Sequence, residues 1–274
     1  MHSDPVFASG EGPGIDGGHV PGQYHASVDL SERHGAVRRH PWEVVRSRFF
    51  RSLIARHAEV LSLRSVLDIG AGDGWFAGEL LSDVSRECEL VCWDINYTSE
   101  DLEAALGPRV RRVTEVPRRT FDLVLLLDVI EHIADDAAFI ERAVIPRLHE
   151  HSVLVVSVPA FQALYSDHDR ALGHERRYRP AALHALLAER LDVVERGGLF
   201  TALLAPRALS AAAERIGGRR GSADGVGAWN GGAALTAALT GVLRTDAAAG
   251  AWLARRGVPL PGLSAWAVCR TKPA

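Results

Sequence analysis

Residues 66–76 read VLDIGAGDGWF. An apolar run ends at Ile69, glycines stand at 70, 72 and 74, and an apolar helical pattern starts at Trp75. Strand, glycine turn and helix in that order open a βαβ unit built around a ligand. Glycine admits backbone angles closed to other residues and lets the main chain approach a bound group. The next apolar run, ELVCWD (89–94), ends on Asp94, 20 residues beyond Gly74. Nucleotide-binding sheets carry there the acidic residue that takes the ribose hydroxyls. A dinucleotide fingerprint also needs a third glycine at the position of Trp75, and an indole does not meet that need. The pattern is instead acidic-x-G-x-G-x-G, led by Asp68.

Working outward, strand patterns recur at SVLDIG (65–70), ELVCWD (89–94), VRRVTE (110–115), FDLVLLLD (121–128), HSVLVVSVP (151–159), DVVERGGLF (192–200) and SAWAVCR (264–270). Helical patterns separate several of them: 75–84, 100–106, 135–150 and 180–191. Continuous runs such as LVLLLD and VLVVSV suit strands covered on both faces, which is the mark of a parallel sheet between helices. The fold class is therefore α/β, doubly wound and mostly parallel. An amphipathic helix at 41–60 precedes the sheet, with Trp42, Val45, Phe49 and Leu53 on one stripe. Two further helices, about 203–216 and 233–255, precede the last strand. Leu235, Leu239, Val242 and Leu243 in the second follow core spacing, and the same stripe would serve a homodimer surface or a substrate roof.

Composition excludes several classes. Thirty-one basic against 34 acidic residues, a net charge of −3, leave no basic excess for nucleic acid. Three cysteines cannot build a disulfide framework, so a reducing cytoplasm is expected. Cys88 and Cys92 are separated by roughly 13 Å of strand, too far to share one metal, and no metal ligand is assigned. Lys272 is the only lysine, and this arginine bias with abundant alanine points to a GC-rich bacterial genome. Gly225 to Leu243 is an uncharged stretch of 19 residues, but its five glycines read as part of a cover helix and not a membrane span. Residues 1–23, with six glycines and three prolines, lack the apolar core of a signal peptide. Residues 1–40 read as a flexible arm that orders by closing over the cleft, with Tyr24 and His25 as substrate contacts.

DIGAGDG followed by Asp94 resembles the first two motifs of class I S-adenosylmethionine-dependent methyltransferases. LLLDVIEH (125–132) resembles the strand-four motif of their type-11 and ubiquinone-biosynthesis-like groups. YSDHDRALGHERRY (165–178) resembles the segment after strand five, and HPWEVVRSRF (40–49) the first helix. The likeness covers roughly residues 40–205. It implies a seven-stranded Rossmann-like sheet of order 3-2-1-4-5-7-6, its last strand antiparallel, with an N-terminal helical lid. Residues 1–40 would form the arm, 41–205 the cofactor domain, 206–256 a helical insertion and 257–274 the closing strand. The resemblance implies S-adenosylmethionine as cofactor and S-adenosylhomocysteine as product. Gly70, Gly72 and Gly74 would wrap the methionine moiety, and Asp94 with Ile95 would meet the ribose. Asp68 would hold the loop or the amino group, and Asp128 and Val129 would lie beside the methionine end. Glu115, Thr114 or the backbone alone would take the adenine.

On the acceptor side, His132 follows strand four at the ligand edge and has the pKa range of a general base, or else caps and shapes that edge. Tyr165, His168, Asp169, His174, Arg176, Arg177 and Tyr178 crowd the segment after strand five. His168 and Tyr165 stand nearest the strand end and are candidates for chemistry. His174, Arg177 and Tyr178 are candidates for holding substrate, the arginines by gripping a carboxylate or phosphate; the alternative is that this segment ties itself to the sheet by buried ion pairs. The expectation is an enzyme methylating a small molecule at oxygen, nitrogen or electron-rich carbon. A nucleotide-binding oxidoreductase and a non-catalytic cofactor-binding module are the alternatives.

Overall fold

The computed structural model describes residues 39–217 and 229–273. The elements run α1 (Pro41–His57), β1 (Ser65–Ile69), α2 (Trp75–Leu80), β2 (Glu89–Trp93), α3 (Ser99–Glu103), β3 (Val110–Val113), β4 (Phe121–Leu127), α4 (Asp136–Phe139), β5 (Leu148–Pro159), α5 (Asp167–Ala171), α6 (Pro180–Ala188), β6 (Leu191–Leu199), α7 (Leu204–Gly217), α8 (Ala233–Ala254) and β7 (Ser264–Thr271). The seven strands form one sheet of order β3-β2-β1-β4-β5-β7-β6. β1 to β5 are mutually parallel, and β7 runs antiparallel between β5 and β6. Fold class, strand order and the reversed last strand are as expected.

Strand alternation divides the core between the two faces. Val66, Leu90, Leu123, Leu125, Val153, Val155 and Trp266 pack under α1 and α8, joined by Phe49, Phe50, Leu53 and Ile54 of α1. Leu67, Ile69, Val91, Val124, Leu126, Leu154 and Val156 pack on the opposite face with Phe139, Leu183 and Leu187. The side chains of Asp68 and Ser157 fall by parity on the α1 face, which matters for the site. α1 begins with a capping box in which His40 Nδ1 accepts from the Trp42 amide at 3.2 Å and Glu43 Oε2 accepts from the His40 amide at 3.0 Å.

Three expectations need correction. The helix read through 135–150 stops early: α4 is followed by a π turn at Ile140–Val144, a 3-10 turn at Ile145–Arg147, and β5 from Leu148. Pro146 has no amide to continue the helical ladder, so the chain leaves the helix there. The helix read to residue 191 ends at Ala188, because Leu191 already pairs with Thr271 in β6. On α8, Leu243 is buried, but Leu235 and Val242 are exposed. This helix lies on the protein through small residues, Ala247, Gly250, Ala251 and Ala254. No helix among the described residues is long and apolar enough to cross a membrane.

Candidate active site

The strand order reverses between β1 and β4, and ligands of open α/β sheets bind at such a crevice, outside the carboxyl ends of the strands. Gly70, Gly72 and Gly74 all have positive φ, between 55° and 74°. A Cβ on Gly70 would meet Val129 Cγ2 at 2.6 Å, so the loop after β1 lies directly against the segment after β4. Only a residue without a side chain fits there. The loop is tied to its neighbours by its own backbone: the Gly70 amide donates to Trp93 O at 2.7 Å, and Arg112 Nη2 donates to Asp73 O at 2.7 Å. Arg39 pairs with Asp73, and its guanidinium lies 4.7 Å from the Trp75 ring centre. Gly70 is exposed while Gly72 and Gly74 are buried, so the turn offers a ligand its main chain at Gly70, where no side chain stands in the way.

Asp94 closes the loop from β2. Its Oδ2 accepts from the Gly72 amide at 3.1 Å, and its Oδ1 accepts from the amide and side chain of Asn96 at 2.9 and 3.0 Å. A carboxylate offers about four acceptor positions, and three are filled from within the chain. Ile95 and Glu115 are exposed beside this edge, and Thr114 O accepts from Trp93 Nε1 at 3.0 Å.

Asp128 has φ 61° immediately after β4, a conformation few non-glycine residues hold. Its carboxylate is gripped from two elements. Arg46 of α1 reaches Oδ2 at 2.7 Å, and Ser157 of β5 donates to Oδ1 at 2.8 Å. Arg46 also donates to Ser157 Oγ at 2.9 Å. No local sequence pattern marks Arg46 or Ser157, because their contact spans 111 residues. Asp68 is buried below this group. Burial pushes its carboxyl up to about 7 against the pull of Arg46, with Asp94 and Asp73 adding to the rise.

His132 ends a 3-10 turn, Ile130–His132, whose last amide donates to Val129 O at 3.1 Å. It stands one turn from the residue that touches the glycine loop. His174 arrives from the segment after β5, and the two imidazoles meet edge to face with centres 4.7 Å apart. The buried carboxylate of Glu131 joins them: one ligand-type atom from each of Glu131, His132 and His174 lies within 4.8 Å of the others. His168 lies on α5, half-buried.

The rest of that segment is braced on itself. Asp169, fully buried, accepts from His174 Nδ1 at 2.9 Å, Arg177 Nε at 2.6 Å and the Ser166 amide at 2.9 Å. These bonds hold its carboxyl well below the usual carboxylate range despite burial. The Tyr165 hydroxyl donates to His174 O at 2.6 Å, and burial pushes its phenol up. Tyr178 is buried and donates to Asp136, which also takes Arg176 at 3.1 Å. Arg177 and Tyr178, expected as substrate contacts, direct their polar ends to Asp169 of the same segment and to Asp136 of α4. Tyr24 and His25 lie outside the described residues.

Comparison with known proteins decides the family. A family model described as a methyltransferase domain matches residues 42–197, more than half of the chain. The chain belongs to that family. It is an S-adenosylmethionine-dependent methyltransferase, and its sheet is that of the class. Two solved structures share the fold at low identity. One is the N-methyltransferase NodS from Bradyrhizobium japonicum WM9 in complex with S-adenosylhomocysteine, 15% identical, with a TM-score of 0.51 over 90% of this chain and 99% of that one. The other is the [4+2]-cyclase SpnF, 14% identical, with a TM-score of 0.52 over 90% and 94%. The second name is that of a cyclase, so this likeness fixes the architecture and leaves the acceptor chemistry to the residues. No curated protein matches the chain significantly.

Proposed function

We propose that this methyltransferase alkylates a small-molecule acceptor, at oxygen, nitrogen or an electron-rich carbon, in the specialised metabolism of a bacterium. The observation that carries the reading is the positive-φ glycine turn pressed on Val129 at the reversal of strand order, with Asp94 beside it. S-adenosylmethionine, when bound, supplies the electrophilic methyl group and its own leaving group. The chain has then to align an acceptor in line with that methyl and keep water out.

In this reading Gly70, Gly72 and Gly74 flank the methionine moiety, with Asp128 and Val129 at its reacting end. Arg46 and Ser157 fix Asp128 in its left-handed conformation. Asp94 takes one ribose hydroxyl on its open acceptor position; a second displaces the Asn96 amide. Ile95 covers the ribose, and Glu115 or the Thr114 backbone faces the adenine. The acceptor enters over the ends of β4 and β5. A histidine there, His132 or His168, removes a proton where the nucleophile carries one, an effect of about 10²–10⁴-fold. Three free, buried cysteines suit the cytoplasm, and the exposed Leu235 and Val242 of α8 suit a homodimer face.

The test is methyl transfer from isotope-labelled S-adenosylmethionine to a panel of phenols, amines and electron-rich rings. Label in an acceptor, with one S-adenosylhomocysteine released per transfer, supports the reading. Release of none across a panel spanning all three nucleophiles argues for the non-catalytic alternative. On the true acceptor, His132→Ala or His168→Ala is expected to lower turnover at least tenfold while cofactor affinity changes little. Wild-type rates in both would remove the general base and leave alignment alone.

Asp68 makes cofactor binding pH-dependent. Its carboxyl titrates near 7 in the free protein, and a nearby ligand ammonium favours the charged form. Binding below that pH therefore releases a proton. Affinity for S-adenosylhomocysteine is expected to rise from about pH 5.5 toward 7, by up to about tenfold per unit, and then to level. A flat calorimetric profile over that range would separate Asp68 from the ligand.

A further inference from the structure

The meeting of Glu131, His132 and His174 is more specific than an acceptor-side wall requires. Their ligand atoms converge within 4.8 Å, and they come from two segments 42 residues apart. Imidazole and carboxylate together are the donor set of zinc and its first-row neighbours. The three are also prepared as ligands prepare. His174 gives its Nδ1 to Asp169 at 2.9 Å. An ionised carboxylate only accepts, so the proton is on Nδ1 and Nε2 keeps its lone pair for a cation. A carboxylate behind a histidine in this way fixes both tautomer and ring angle, the usual arrangement behind metal-bound imidazole. The main chain on either side is held as well: Glu131 O accepts from the Glu175 amide at 2.8 Å, and His174 O accepts from Tyr165 Oη at 2.6 Å. The two backbones that carry the donors are thus bonded to each other and cannot drift apart.

We infer that Glu131, His132 and His174 form a binding site for a divalent cation of the zinc class, with Asp169 as the residue that positions His174. Three protein ligands leave at least one coordination position open, the arrangement of catalytic sites rather than structural ones. The site lies at the ends of β4 and β5, so an acceptor oxygen would take the open position and its proton would become more acidic on the metal. This last clause rests on the methyl-transfer reading, while the cation site itself does not. With the cation bound, His132 would act as a ligand, and the acceptor's proton would pass to His168 or to solvent water.

The experiment is titration of Co²⁺, then Zn²⁺, into the untagged full chain freed of metal by chelator. Visible absorption reports coordination and calorimetry reports stoichiometry. The site predicts one equivalent per chain, a visible Co²⁺ band that Zn²⁺ bleaches, and at least tenfold weaker binding in His174→Ala. His174 also braces Asp169, so His132→Gln is the second variant, expected to show the same tenfold loss. S-adenosylhomocysteine binding, measured in parallel, verifies that each variant is folded and stands or falls independently of the metal. Absence of saturable one-equivalent uptake by the wild-type chain, or equal uptake by both folded variants, overturns the site.

Discussion

Gly70→Val is expected to lower affinity for S-adenosylhomocysteine by at least 100-fold, about 2.7 kcal/mol. Two costs combine. The backbone at Gly70 sits at φ +66°, where a residue with a Cβ pays roughly 1–2 kcal/mol and a β-branched one more. The added Cβ would also lie 2.6 Å from Val129 Cγ2, so the loop must move away from the segment after β4. That movement carries the Gly72 amide off Asp94 and opens the crevice. Calorimetry of the variant, with its melting curve as a check on folding, measures the effect. Affinity within threefold of wild type would mean that the turn is a plain strand–helix connection.

Asp169→Ala is expected to destabilise the protein by about 3–5 kcal/mol, the cost of removing one partner of a buried ion pair. Asp169 is fully buried and receives Arg177, His174 and the Ser166 amide, with Arg207 Nη2 at 3.9 Å. Without it the largely enclosed Arg177 guanidinium loses its carboxylate, which is the larger part of the penalty. For a chain of this size the melting temperature should fall by roughly 6 °C or more. A fall corresponding to less than 1 kcal/mol would show that water or a rearranged Arg177 takes up the charge, and that the segment after β5 is less rigid than its bonds suggest.

The sheet was readable because its strands are short apolar runs bounded by turn residues, a signal local to each strand. Asp94 was readable for the same reason, since the distance from Gly74 is fixed by one helix and one strand. Other parts had no local signature. The helix before β5 looked continuous because its apolar spacing persists past Pro146, and only the missing amide marks its end. Of the large residues in the α8 stripe, Leu243 is buried and Leu239 packs on the core, but Leu235 and Val242 are exposed, and the rest of the contact is made by small residues, with Gly250 close against the backbone of Gly198. The grip of Arg46 and Ser157 on Asp128, and the meeting of His132 with His174, depend on tertiary pairing. Each of those histidines was legible singly; their convergence was not. Arg177 and Tyr178 were legible as polar groups near a strand end, but no sequence rule said that Asp169 and Asp136 would engage them.

Titration of S-adenosylhomocysteine into the purified chain tests the central claim most directly, because it needs no acceptor. One site per chain with a dissociation constant in the micromolar range is expected, about 8 kcal/mol at 1 μM, together with a rise in melting temperature. No heat and no thermal shift, with this ligand and with S-adenosylmethionine alike, would contradict the assignment of the glycine turn and Asp94 as the cofactor site.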